Sequence, residues 1–210
     1  MEESREEKHI PTAAYFSIAA SVLLILINIF RWHLIEVFSV FLLPFLEGPI
    51  ILLFLGSMIS SVVYFIRNGR KEKLRAIVPL TICIITILIV WFVPFTKINL
   101  ALDFSKNLEQ REKVVSMIQT GELMPNVSHN QSLIALPKEY AHLSKGGGEV
   151  VVEREGDNLR VLFFTFRGVL DSFSGFVYIS DDTKLQEGNF NTGFLQIEKK
   201  KEHWYWGAAK

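Results

Sequence analysis

The chain has 210 residues, 50% of them hydrophobic, and its 22 Lys and Arg balance 22 Asp and Glu to a formal net charge of zero. Neutral charge of mixed sign offers no broad electrostatic footprint for nucleic acid. A single cysteine, Cys83, excludes an intrachain disulfide framework and a cysteine-based zinc site.

The average conceals two regimes. Residues 1–95 hold eight bases and seven acids, most of them outside long apolar runs, whereas residues 96–210 hold 14 and 15 in mixed order. The first part reads as membrane-embedded. The second is of single-domain size and long enough to bury its own core.

In chain order, residues 1–12 form a charged N-terminal segment, acidic at Glu2, Glu3, Glu6 and Glu7, with Arg5 and Lys8 its bases. The first apolar run, residues 13–30 (Ala13 to Phe30), spans about 27 Å as a helix. It ends at Arg31-Trp32-His33, a group suited to the headgroup layer. An acidic leader and the lack of a small-x-small site after the run favour an uncleaved anchor over a signal peptide.

The second run, Val37 to Ile66, is too long for one untilted span and is interrupted by Pro44 and by Gly48-Pro49. Proline removes an amide donor and clashes with the preceding turn, so a break or kink is expected there. On this reading residues 49–66 are the second span. Residues 31–48 are an outer interfacial or re-entrant segment, with a helix over Glu36 to Leu46. Residues 76–95 are the third span, closed by Trp91, Phe92 and Pro94.

Between the second and third spans, residues 67–75 carry Arg67, Arg70, Lys71, Lys73 and Arg75, against Arg31 alone in the first loop. Lysine and arginine gather on the cytoplasmic side of short loops. The N-terminus is therefore expected in the cytoplasm of a multi-pass cell-membrane protein, and the C-terminal domain outside it. The lipid bilayer is the expected partner, with another membrane or envelope protein as a second, and no nucleic acid.

Glu47 is the one acid at possible membrane depth. It is either an intramembrane proton or ion site or an interfacial residue ahead of Pro49, and the apolar runs offer it no basic partner at similar depth. Asn28 can bridge helices by a hydrogen bond.

The outer domain, residues 100–210, is expected to open on a helix capped by Ser105 and stopped by Gly121, with Leu108, Val114, Val115, Met117 and Ile118 on its apolar face. Strands follow at Leu133–Leu136, Glu149–Arg154, Leu159–Phe166, Phe173–Ile179, Phe194–Glu198 and Glu202–Trp206, with a hairpin through Gly156-Asp157-Asn158. The fold class is thus three transmembrane α-helices followed by a soluble α+β domain, one helix and then a mostly antiparallel five- or six-stranded sheet. The helix covers one face, and Phe163, Phe164, Phe166, Phe173, Phe176 and Tyr178 supply much of the filling.

Candidate chemistry is sparse. Gly146-Gly147-Gly148 precedes a strand and lacks a following GK[ST], so it reads as a turn and not a phosphate cradle. Arg167 can fork onto a carboxylate or phosphate ligand, or it can pair with Asp171 across a tight connection that also holds Ser172. His129, His142 and His203 lack the spacing of a metal-binding helix, and no G-x-S-x-G frames a nucleophile. No cofactor or metal is implied. Lys199 to Lys201 beside Trp204-Tyr205-Trp206 suit a lipid headgroup or partner surface, or a terminal strand with Trp204 and Trp206 buried. The candidate contacts are accordingly Arg167, Asp171, Trp204 and Trp206. Asn126-Val127-Ser128 and Asn130-Gln131-Ser132 match the glycosylation pattern.

The segments FFTFRGVLDSFSGFVYISDD (163–182) and HWYW (203–206) resemble outer domains of small, uncharacterised bacterial membrane proteins. The resemblance covers residues 103–206. It implies a bacterial cell membrane, and so no glycosylation, and it carries no functional residue with it. The functional expectation is an integral membrane protein with an extracytoplasmic binding, sensing or accessory domain. The alternatives are a membrane-anchored hydrolase using Asp171, Ser172 and the histidines, and a subunit of an oligomeric transporter using Glu47.

Overall fold

The computed structural model describes residues 11–128, 130–168, 172–181 and 183–209, which leaves His129 and Asp171 outside the described residues. The chain divides into two compact units after Asn99.

The first unit contains α1 (Thr12–Glu72), α2 (Leu74–Phe92) and the start of α3 (Phe95–Gln119). Three segments are long and apolar enough to cross a membrane: Thr12–Ile35, Phe41–Glu72 and Leu74–Phe92. This is a membrane protein.

Although helical throughout, α1 folds back on itself. Ser17 Oγ lies 2.8 Å from Ser61 Oγ, and Arg31 Nε lies 2.8 Å from Glu47 Oε1. In one straight helix those pairs would be about 66 Å and 24 Å apart, at ~1.5 Å per residue. Both pairs centre on residue 39, so the reversal falls between Ile35 and Phe41.

Of the break or kink expected at Pro44 and Gly48-Pro49, the break is corrected. Helix continues through both prolines, as spanning helices allow where neighbouring groups satisfy the freed carbonyls. The third span is also shorter than expected. It ends at Phe92, and α3 begins straight after Pro94, where a missing amide costs nothing because the first turn of a helix has no carbonyl to receive it.

Small polar side chains line the interior of the bundle. Ser17, Ser21, Ser57, Ser61, Cys83 and Thr86 are buried, while Leu52, Ile66 and Trp91 are exposed. Lipid is as apolar as leucine, so close helix packing relies on small residues and interhelical polar contact. Cys83 Sγ sits 3.9 Å from Ser57 Oγ and 3.8 Å from Ser61 Oγ. Ser61 also donates to Ser57 O at 2.7 Å, and Asn99 Nδ2 donates to Ile29 O at 2.9 Å.

The second unit is an α+β domain. Six antiparallel strands, β1 (Leu133–Ala135), β2 (Glu149–Glu155), β3 (Asn158–Arg167), β4 (Phe173–Ile179), β5 (Phe194–Lys201) and β6 (Trp204–Ala209), lie in the order β1-β2-β3-β4-β6-β5. Alternation along the strands sorts the aromatics. Val161, Tyr178 and Trp204 form one cross-strand row, and Phe163, Phe176 and Trp206 the next. Phe104 of α3 packs on this face, with ring centroids 5.0 Å from Phe176 and 5.8 Å from Trp204.

The opposite face carries Leu162, Phe164, Val177 and Tyr205, covered by Leu185 of the long β4–β5 connection and by Phe194 at the start of β5. Gly175 and Gly207, paired across β4 and β6, make room there. A Cβ on Gly175 would lie 2.5 Å from Leu162 Cδ1, and one on Gly207 2.6 Å from Phe194 Cδ1. The aromatic filling expected under one helix is thus shared between two cores, with Phe163 and Phe176 on one side and Phe164 and Phe173 on the other.

Two boundaries differ from expectation. Ser105 lies inside α3, which begins at Phe95. Lys199, Lys200 and Lys201 belong to β5, because the final hairpin turns at Glu202-His203, with His203 in the left-handed region at φ 63°.

Candidate functional site

The buried polar centre of the domain is Arg111, which the sequence reading passed over. It is 1% exposed and faces the sheet from α3 between Phe104 and Val114–Val115. Its Nη2 donates to Asp103 Oδ2 at 2.5 Å, its Nη1 to Asp103 O at 3.2 Å, and Nη2 also reaches Leu143 O at 3.4 Å. The guanidinium lies 4.6 Å over the Phe176 ring. Burial pushes its pKa down, and Asp103 opposes that shift. The signal in the sequence was an arginine on the apolar stripe of a helix, two turns after an aspartate. Its contacts are all within the fold, so it pins α3 to the sheet.

Of the four contacts proposed from sequence, Asp171 lies outside the described residues, and Trp204, Trp206 and Arg167 sit in different surroundings. Trp204 is 1% exposed and packs against Phe104, Phe163 and Tyr178. Trp206 is half-buried and donates from Nε1 to Thr165 Oγ1 at 3.3 Å. Neither is laid out as a headgroup anchor. The three lysines are engaged as well. Lys200 meets Glu198 at 2.9 Å, Lys201 meets Glu112 at 3.2 Å, and Lys199 lies over the Tyr205 ring at 6.0 Å.

Arg167, at the end of β3, has its contacts among the described residues to Glu149, Gly146 and Phe164, while the expected pairing with Asp171 lies outside them. Its Nη1 donates to Glu149 Oε2 at 2.8 Å and to Gly146 O at 3.4 Å, and its guanidinium lies 5.0 Å over Phe164. The triple glycine is part of this arrangement. Gly146, Gly147 and Gly148 have φ of 74°, 123° and 72°, and a Cβ on Gly146 would fall 2.8 Å from Arg167 Cβ. The glycines let the turn lie against the arginine side chain, and β2 follows directly, as the turn reading required.

Two clefts open on opposite faces of the sheet. One, of about 310 Å³, is lined by Arg167, Gly168, Ser172, Val151, Leu162, Phe164, Phe173 and Phe190. The other, of about 280 Å³, lies between α3 and the β5–β6 turn and includes Glu112, Tyr178, Lys201 and His203. His203 Nδ1 is 3.0 Å from Ile179 O, so it carries the proton and holds the turn. His142 is exposed in a short turn elsewhere. Among the described residues no group of three or more His, Cys, Asp or Glu is placed to hold a metal ion.

In the first unit, Glu47 pairs with Arg31, which lies just past the end of the first apolar run. In the second, Asn126 of the first glycosylation pattern uses its amide on β1, donating to Ala135 O at 3.0 Å and accepting from Ala135 N at 2.7 Å.

No protein-family model matches the chain, and neither a curated protein nor a solved structure does. Any functional reading must therefore come from the site itself.

Proposed function

We propose that this is a bacterial cell-membrane protein with its N-terminus in the cytoplasm and a C-terminal domain on the extracytoplasmic side that binds a ligand or partner, as a sensor or accessory unit. One observation carries the binding reading: a cleft whose floor is apolar and whose mouth carries an arginine held in place by Glu149 and Gly146. Ligand sites combine apolar side chains with a few placed polar groups, and this cleft has both. The orientation rests on the five bases of residues 67–75.

The alternatives have less behind them. Glu47 is matched by Arg31, which suits a structural role at a helix end. His203 spends Nδ1 on a backbone carbonyl, which suits a turn more than a hydrolytic base.

Sidedness is tested by single cysteines on a Cys83→Ser background, which is otherwise free of thiols. Gln196→Cys, at an exposed position, is expected to react with an impermeant maleimide on intact cells, and Lys71→Cys only after permeabilisation. The reverse pattern overturns the orientation. Binding is tested by a photo-crosslinking amino acid at position 167, compared with one at exposed Gln196, in the full chain within its membrane. A discrete adduct specific to position 167 is expected. Bare protein at both positions overturns the binding reading.

A further inference from the structure

We propose that the cleft beneath Arg167 takes a small amphiphilic anion, a carboxylate carried on one short alkyl or aryl group. The inference rests on the binding reading above and names its ligand class. Among the described residues, Leu162 and Phe164 of β3, Val151 of β2, Phe173 of β4 and Phe190 line the cleft together with Gly168 and Ser172, and Arg167 is the charged group there. At about 310 Å³ the cleft is at the small end for ligand sites, which suits one short apolar body and leaves no room for a large headgroup.

The arginine is set for this use. It is 40% exposed on its side chain, so its guanidinium meets solvent at the mouth, yet its position is fixed by Glu149 and by the Phe164 ring below. A guanidinium offers five donors in a planar fork, so the contacts of Nη1 to Glu149 and Gly146 do not exhaust it, and a second carboxylate can be taken up edge-on. The opposite wall is held as firmly. Phe190 and the following Asn191 both occupy the left-handed region, at φ 58° and 52°, which is unusual for a bulky side chain. The amide of Phe190 donates to the Glu153 carboxylate at 3.3 Å. Backbone strain of this kind persists where the surroundings enforce it, and it concentrates at ligand-clamping sites. Here it sets an aromatic wall against the sheet.

The test uses the full chain in lipid nanodiscs, with octanoate as the probe and saturation-transfer NMR as the readout. Octanol, octyltrimethylammonium and acetate serve as comparison probes. Saturable octanoate binding is expected, weakened roughly tenfold or more in Arg167→Gln and in Val151→Phe, which fills the floor but leaves the guanidinium in place. Octanol, the cation and acetate are expected to show no saturable component. Near-UV circular dichroism from Trp204 and Trp206 reports whether each variant is folded, and Val151→Phe keeps the test decisive if Arg167→Gln is not. Octanoate uptake equal in wild type and both folded variants, or octanol binding as tightly as octanoate, overturns the proposal. If octanoate fails while the photo-crosslink at position 167 still captures a discrete adduct, this ligand class falls and the binding reading stands.

Discussion

Arg111 and Asp103 form an ion pair two helical turns apart on α3, at 2.5 Å, with the arginine buried under the sheet and the aspartate at its margin. Removing one partner of a buried pair strands the other charge, a loss of about 3–5 kcal/mol. Because Asp103 retains 32% exposure, Asp103→Asn is expected at the low end, about 3 kcal/mol. The double change Asp103→Leu with Arg111→Met is expected to be less damaging than Asp103→Asn alone. Urea unfolding of the three proteins, read by tryptophan fluorescence, checks the order. A double variant less stable than the single would refute the pinning role.

The reversal of α1 near residue 39 is open to cross-linking. Ser17→Cys with Ser61→Cys, on a Cys83→Ser background, is expected to oxidise to an intramolecular disulfide, since the two hydroxyls lie 2.8 Å apart. The fast-migrating species on a non-reducing gel reports it. A single straight helix would yield none.

Glu47 and Arg31 are both partly exposed, at 21% and 54%. With its carboxylate 2.8 Å from Arg31, Glu47 is read as a structural partner, so Glu47→Gln is expected to leave ion flux across proteoliposomes unchanged. A flux that falls in this variant would restore the transport reading.

Gly146 is expected to resist substitution. Alanine there meets a left-handed φ of 74° and the Arg167 side chain at 2.8 Å, and the backbone part alone costs about 1–2 kcal/mol. Gly121 has nearly the same φ, at 77°, with nothing within 4 Å of its Cβ position. Gly121→Ala should therefore be the milder change in a thermal melt, and the difference between the two measures the contact with Arg167.

Asp181 accepts a hydrogen bond from the Thr183 hydroxyl, which holds its carboxyl below the ordinary range. A depressed carboxylate adds stability that is present above its unfolded pKa and is lost as pH falls through the folded value. Thr183→Val is expected to move the Asp181 titration upward toward the ordinary carboxylate value, as followed by NMR. No movement would show that the hydroxyl is not the cause.

Much of the fold could be read directly from local patterns. The apolar runs, the change from helical to alternating spacing after Gly121, and the Gly156-Asp157 hairpin depend only on neighbours in the chain. The structure has the hairpin closing Glu155 onto Asn158, with Gly156 at φ 61°. The candidate site was legible only in part. Arg167 was visible as an arginine after an aromatic strand, but its partner Glu149 lies on another strand, beyond the glycine turn. The lysine run looked like a loop because three bases in a row break alternation. An edge strand tolerates them, since one side of β5 faces no other strand.

What the sequence determined by itself was therefore membrane embedding, the order of elements and the α+β class, because hydrophobic length, spacing period and turn chemistry are local properties. Only the tertiary structure decided where α1 reverses, that Arg111 is buried, that Glu47 has a cation, and which side chains frame the cleft under Arg167. Each of those depends on which distant residues meet. A proline marks where a helix is weakened, but the packing of Ser17 on Ser61 determines where the chain turns back.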